Sequence, residues 1–307
     1  MSTPPPLFDP AAQLQRAARA ARASGSADFL HRRAAEGVAE RLGDVIRPFP
    51  AAAVIGGGGV YAASLWNSFG IETLVQMERS PAMAARAAAL IPEAEIVIGD
   101  GAARLGEGRF DLIVAGGWLH GENDVVGALV QMRRALKPDG LMIAAMAGGR
   151  TLCELRAALA EAESAVEGGL SPRVAPMADI RDLGGLLQRA GFAMPVADCE
   201  RLTIDYADAW SLMRDLRAMG EANALAGRRR GFTRRATLET AARLYARCFG
   251  LPGGRVAATV EIVFLTGWSP GPDQPVAKRP GSATARLADA LGAVERSAGE
   301  KVGRRSS

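Results

Sequence analysis

Four consecutive glycines, Gly56-Gly57-Gly58-Gly59, follow the apolar run Ala51-Ala52-Ala53-Val54-Ile55, and an acid, Glu78, ends the next apolar run. Glycines after a buried strand let the backbone turn tightly and approach a ligand that a β-carbon would push away. An acid at the tip of the following strand can accept hydrogen bonds from the two hydroxyls of a ribose. Loop and acid together read as a βαβ nucleotide site, and Gly57-x-Gly59-x-x-Ala62 fits the dinucleotide fingerprint. A plain turn in an Ala/Gly-rich chain is the competing reading. Gly99-Asp100-Gly101 and Gly116-Gly117-Trp118-Leu119-His120 also follow apolar runs, adding a second acid, flexible backbone and one imidazole. His120 is a candidate general base, and a structural hydrogen-bonding role suits a lone histidine at a strand end as well.

These residues need strands to hold them. Apolar runs predict strands at 51–55, 71–77, 95–98, 110–115 and 141–146, alternating with helices at 61–69, 81–90 and 124–136. Ser80-Pro81 supplies an N-cap and a first-turn proline for the second of these helices. Connections of this length are too long for hairpins and argue a parallel, doubly wound sheet. Ligands bind such sheets beyond the carboxyl ends of the strands, where all the unusual residues fall. Helices at 10–23 and 27–45 come first, with Asp28 placed as a cap, and Lys137-Pro138-Asp139-Gly140 reads as a turn. Beyond Gly148-Gly149 helices are predicted at 151–166, 179–190, 207–225 and 236–248, with strands at 194–204 and 257–267.

The expected organisation is N-terminal helices over 1–47, a Rossmann-like core over 48–204 and a helical cap inserted at 205–256. A closing strand at 257–268 and a disordered basic tail at 269–307 complete it. The fold class is therefore α/β: a doubly wound, Rossmann-like seven-stranded sheet with a helical cap insertion.

A chain of 307 residues with 49% hydrophobic content can bury a substantial core. The net charge of +4 is mild and its arginines are spread among acids, which does not argue for nucleic acid. The cluster Arg228-Arg229-Arg230 with Arg234 and Arg235 reads as a solvated helix face, with an acidic partner as the other reading. Cys153, Cys199 and Cys248 lie far apart and only two histidines exist, so no metal site is expected and a reducing compartment fits. No apolar run approaches the roughly 18 residues that span a bilayer. Residues 11–24 are Arg-rich and free of acids, as transit peptides can be, and are read as an amphipathic helix instead. The expected location is the cytoplasm, or the mitochondrial matrix in a eukaryote.

The order of the glycine loop, Glu78-Arg79-Ser80-Pro81, Gly99-Asp100, Phe110-Asp111-Leu112-Ile113, Leu119-His120 and Leu136-Lys137-Pro138-Asp139-Gly140 resembles class I S-adenosylmethionine-dependent methyltransferases. Within that class the chain is similar to the branch containing mitochondrial complex I assembly factor 5 and the malonyl-carrier-protein methyltransferase of biotin synthesis. Gly148-Gly149-Arg150-Thr151-Leu152, Ser171-Pro172-Arg173, the runs at 182–192 and 215–223, and Leu265-Thr266-Gly267-Trp268 sharpen the match, which spans 8–268. The resemblance implies S-adenosylmethionine as cofactor. Gly56, Gly57 and Gly58 would pass beneath its methionyl part, Glu78 would hold the ribose hydroxyls, and Asp100 would face the adenine amino group. Arg79 and Gly101 join that set, the backbone of Ala115, Gly116 and Gly117 would line the methionyl side, and His120 would stand near the mouth.

In two places the chain departs from the class. Val54 replaces the acid at the end of the first strand, removing a partner for the cofactor's ammonium group worth roughly 1.5 to 3 kcal/mol. Val60 replaces the last glycine of the loop and adds bulk there. Methyl transfer to a protein or small-molecule acceptor is the first functional expectation, with a respiratory-complex subunit or a carrier protein among the partners. The alternative is an assembly-factor-like protein that modifies such a subunit by arginine hydroxylation, or holds it. An NAD enzyme would use the same loop but accounts for none of the later motifs.

Overall fold

The computed structural model describes residues 5–23, 25–272, 274 and 286–294. The expected tail falls mostly outside them. Residues 272–307 form a unit of their own, with one described helix at Leu287–Leu291.

Side-chain alternation along the strands sets the layers. In β1 (Ala51–Ile55), Ala53 and Ile55 join one apolar cluster while Ala52 and Val54 join another, as the two-residue period of a strand requires. The other strands are β2 (Thr73–Glu78), β3 (Glu95–Ile98), β4 (Phe110–Gly116), β5 (Leu136–Gly148), β6 (Ala193–Tyr206) and β7 (Val256–Trp268). They form one seven-stranded sheet in the order β3-β2-β1-β4-β5-β7-β6. Neighbours among β1 to β5 pair in parallel, and β7 runs antiparallel to both β5 and β6.

Helices α1 (Pro10–Ala20), α2 (Phe29–Gly43), α3 (Val60–Leu65), α4 (Pro81–Leu90) and α5 (Val125–Ala135) belong to the first half. Helices α6 (Cys153–Glu167), α7 (Ile180–Arg189), α8 (Ala209–Met219) and α9 (Arg235–Phe249) follow. One face of the sheet packs on α5 and α7 through Leu129, Met132, Leu183 and Leu187. The other packs on α2 and α3 through Val38, Leu42, Tyr61 and Leu65.

The last two strands outrun their neighbours. Gly148 at the end of β5 pairs with Glu261, whereas residues 202–206 of β6 go on pairing with residues 256–260 of β7. This two-stranded ribbon projects past the carboxyl ends of the parallel strands and carries α6, α8 and α9. Leu155, Leu159, Leu212 and Tyr245 pack there against Tyr206, Val256 and Ala258, and the Tyr245 hydroxyl donates to the Ala257 carbonyl at 2.8 Å. The helical cap thus sits over the edge where ligands of α/β sheets bind.

Several local expectations change. The helix expected at 207–225 stops at Met219, because Gly220 adopts a left-handed φ of 89° and its N–H closes the last turn onto Leu216 and Arg217. The helix expected at 61–69 ends at Leu65, and Phe69 and Gly70 turn the chain with φ of 58° and 67°. The expected turn at 137–140 lies inside β5, as an irregularity with Asp139 at φ 60° opposite the register shift between Phe110 and Leu112. Asp28 makes no cap bond and pairs with Arg86, whereas Asp9 caps α1 by accepting from the Ala12 N–H at 3.2 Å. The arginine cluster starts on a non-helical segment and is paired internally: Arg228 with Asp9 at 2.9 Å and Arg229 with Glu167 at 3.0 Å.

Candidate functional site

Gly56, Gly57, Gly58 and Gly59 all take left-handed backbone, with φ of 79°, 75°, 58° and 88°. That conformation is open to glycine and strained for other residues. The Gly58 N–H donates to Glu78 Oε1 at 2.7 Å, and the Gln76 amide donates to the same oxygen at 3.0 Å. Glu78 is buried, and burial drives its carboxyl up to about 7 against the lowering effects of the Gly58 N–H, Arg86, Gln76 and Arg79. Its second oxygen has no partner among the described residues, and the side chain lines a cavity of about 640 Å³.

Packing accounts for the rest of the loop. A β-carbon on Gly59 would lie 2.9 Å from the Ala87 backbone, so α4 rests directly on the turn. Val60 opens α3 and packs against the Tyr61–Leu65 layer, and Val54 is wholly buried in that same layer. Gly116 is a glycine for a similar reason: a β-carbon there would fall 2.3 Å from the ring of Tyr61, which also lies against Gly57. Ala115 and Gly116 are buried, whereas Gly117 reaches the cavity wall.

At the rim, Arg79 binds four groups. Its Nε donates to Asp100 at 2.7 Å, it pairs with Glu122, it donates to Gln13 Oε1 at 3.2 Å, and it lies 5.8 Å from the Trp118 ring centre. Gln13 in turn donates to the Gly121 carbonyl at 2.7 Å, so α1 is clasped across the cleft. Asp100 leaves 71% of its side-chain surface open, and Gly101 beside it has free space where a β-carbon would stand. The structure therefore brings Gly56, Gly57, Glu78, Arg79, Gly117 and His120 to one cavity; Asp100 meets it only through Arg79, and Gly58, Gly101, Ala115 and Gly116 are not among its lining residues.

His120 follows β4, and its Nε2 lies 3.1 Å from Glu221 Oε2, just past the end of α8. Burial pushes the His120 imidazole down, but the facing Glu221 carboxylate outweighs this and holds it above the usual histidine range. His31 of α2 lies nearby, edge-on to Tyr61 at 6.0 Å, and burial lowers its imidazole. Arg173 also reaches the cavity, bound to Glu163 and Thr233 at 2.6 Å each. Among the described residues no three His, Cys, Asp or Glu side chains gather as a metal site.

This geometry has known counterparts. A methyltransferase domain family matches residues 54–144. The chain is 36% identical over 267 residues to "Arginine-hydroxylase NDUFAF5, mitochondrial" of Danio rerio, covering 87% of this chain and 83% of that one. It is 33% identical over 272 residues to malonyl-[acyl-carrier protein] O-methyltransferase of Laribacter hongkongensis, covering 82% of this chain and 86% of that one. The chain belongs to the class I methyltransferase family, in the branch that holds these relatives. Among solved structures, the YcgJ protein of Bacillus subtilis shares the fold at a TM-score of 0.54 and 12% identity, over 76% of this chain and 98% of that one.

In this methyltransferase-family chain, sequence reasoning missed Glu221, Arg173, His31 and Gln13 as site residues. Glu221 and Arg173 lie within stretches that carry the family resemblance, at 215–223 and 171–173, yet nothing local says that they face the loop. Gln13 offered no signal at all, since its role comes from where α1 docks.

Proposed function

We propose that the protein transfers a methyl group from S-adenosylmethionine to an acceptor bound beneath the helical cap. One observation carries this reading: a buried carboxylate at the tip of β2 lines the cavity, hydrogen-bonded to the glycine loop through one oxygen and with no partner for the other among the described residues. That oxygen suits a ribose diol, and Gly56 and Gly57 leave backbone alone at the neighbouring wall. The residues thus fit the nucleoside half of the cofactor. Arg79 and Gly117 line the same cavity, with Asp100 joined to it through Arg79, whereas the Gly58 N–H is taken by Glu78, Gly101 is not among the lining residues and Ala115 and Gly116 are buried, which leaves the methionyl side to Gly117. When bound, the cofactor supplies an electrophilic methyl group on a sulfonium, and the protein's task is placement and orientation.

A second reading keeps the fold and changes the chemistry. The chain matches NDUFAF5 over most of its length, and Val54 leaves the cofactor's ammonium group without the acid of the class. On this reading the protein modifies or holds a subunit of a respiratory complex, in the cytoplasm or the mitochondrial matrix. No helix among the described residues is long and apolar enough to cross a membrane.

Calorimetric titration with S-adenosylmethionine, S-adenosylhomocysteine and NAD separates the readings. The expected result is binding of the first two only, abolished in Glu78→Ala. A folded sample that binds neither would sink the methyl-transfer reading and favour the second.

A further inference from the structure

The cavity carries charge of both signs, unevenly shared. Arg79, Arg173, Arg217, His31 and His120 line it, whereas its acidic lining residues, among the described ones, are Glu78 and Glu221. The donor proposed above bears a cation at the end far from its ribose, the α-ammonium of the methionyl tail. Taking that ammonium out of water is unfavourable unless an anion or several acceptors stand beside it. Val54 supplies neither, being wholly buried in the apolar layer under α2 and α3.

Glu78 does not serve that end of the donor. Its Oε1 is held by the Gly58 N–H and the Gln76 amide beside the place assigned to the ribose, and burial raises its carboxyl to about 7. It is therefore only partly ionised at neutral pH.

Glu221 differs in place and in charge. It follows α8, which Gly220 ends one residue earlier with a left-handed φ of 89°. Its Oε2 lies 3.1 Å from Nε2 of His120, in the turn that follows Gly117, the glycine left to the methionyl side. His31 closes the same corner, since a β-carbon on Gly117 would fall 2.6 Å from its Cε1. Burial alone would raise the Glu221 carboxyl, but His120 and His31 outweigh this and hold it below the usual range, so it is anionic at neutral pH. His120 occupies one oxygen only. Oε1 has no partner among the described residues, and the side chain keeps 40% of its surface open where it lines the cavity. A carboxylate offers about four acceptor sites, so an ammonium at Oε1 displaces nothing.

We propose that Glu221, carried in from the helical cap, is the counter-ion of the donor's α-ammonium and makes the charge pairing that Val54 cannot. The cap then holds the donor as well as covering the acceptor. This rests on the methyl-transfer reading above, because it is the donor's tail that bears the cation.

The test is calorimetric and needs no turnover. The full chain is titrated with S-adenosylhomocysteine, with its analogue in which hydrogen replaces the α-ammonium, and with 5′-methylthioadenosine, which lacks the whole amino-acid tail. The parent chain is expected to bind S-adenosylhomocysteine about 10- to 100-fold more tightly than the deaminated analogue, the range of one charge-assisted hydrogen bond. Glu221→Gln keeps the size and an acceptor for His120 but not the charge. It should erase most of that preference by weakening S-adenosylhomocysteine alone, with methylthioadenosine bound as before. Glu221→Asp should retain part of it.

Equal affinity of the parent chain for S-adenosylhomocysteine and the deaminated analogue overturns the proposal without recourse to any variant. So does a Glu221→Gln chain that keeps the preference. Equal losses of S-adenosylhomocysteine and methylthioadenosine in that variant also overturn it, since they mark Glu221 as a structural support of the cavity. A parent chain that binds none of the three overturns the methyl-transfer reading itself, and the assignment of Glu221 falls with it.

Discussion

The Gly58 N–H and the Glu78 carboxylate, 20 residues apart, meet at 2.7 Å inside the protein, so the glycine loop and the acid of the next strand form one hydrogen-bonded unit. The same contact that shapes the loop holds a carboxylate where burial disfavours its charge.

Glu78 should therefore trade stability for binding. Its carboxyl is raised from 4.5 to about 7 in the folded chain, so the folded state holds a proton that the unfolded state has lost between those values. Sign follows: ionising Glu78 destabilises the fold as pH rises from 4.5, with the full effect, about 3 kcal/mol, reached above pH 7. Glu78→Gln is expected to raise the melting temperature at pH 8 and to leave it nearly unchanged at pH 4, while weakening S-adenosylmethionine binding. Melting curves at the two pH values check the first part, and equal shifts at both would contradict it.

Gly116→Ala should destabilise the chain by about 1 to 3 kcal/mol through overpacking. The new methyl would stand 2.3 Å from the Tyr61 ring. Much of that loss should disappear when Tyr61 is already replaced by Ala, because the two changes share one contact. A double-mutant cycle by urea denaturation measures this, and strict additivity would show that the ring is not the obstacle.

Glu163 holds Arg173 at the cavity wall through a 2.6 Å bond and is itself almost wholly buried. Burial alone would raise its carboxyl, but Arg173 with the Ser171 hydroxyl and amide overcomes this and holds it down at about 2. Glu163→Gln strands the mostly buried guanidinium and should cost about 3 kcal/mol or more at neutral pH. Because the carboxyl is depressed, its contribution is present above 4.5 and is lost as pH falls toward 2. The difference between variant and parent should shrink over that window in denaturation experiments.

Val54→Asp, which restores the residue type of the class, should destabilise the chain by several kcal/mol. Val54 is 0% exposed and sits among Leu42, Tyr61 and Leu65 in the apolar layer under α2 and α3. Gln76 stands in register beside Val54 on β2, but its amide already donates to the Gly56 and Met77 carbonyls and to Glu78, and removing a carboxylate from water without new partners is unfavourable. Thermal denaturation tests stability, and calorimetry of the same variant tests whether cofactor affinity rises. A stable variant with tighter binding would show that the side chain reaches the ligand.

Alternation of strand and helix, the sheet class and the loop with its acid were legible because each is a short-range pattern. Period-two burial writes Ala52 and Val54 against Ala53 and Ile55 into five residues, and the glycines mark the turn by conformational need. Element ends were less legible, since Gly220 halts a helix whose apolar pattern runs on.

Tertiary structure alone decided who meets whom at the cavity. Gln13 reaches Arg79 because α1 docks across the cleft, and Arg173 reaches the wall because Glu163 on α6 draws it in. Glu221 reaches His120 because the β6–β7 ribbon carries the cap past the ends of the parallel strands. Such partners depend on strand register and helix docking, each the sum of many weak contacts between distant segments, and no local periodicity encodes that sum. Local chemistry thus determined the loop that marks the fold, and long-range packing determined which distant side chains share the cavity wall.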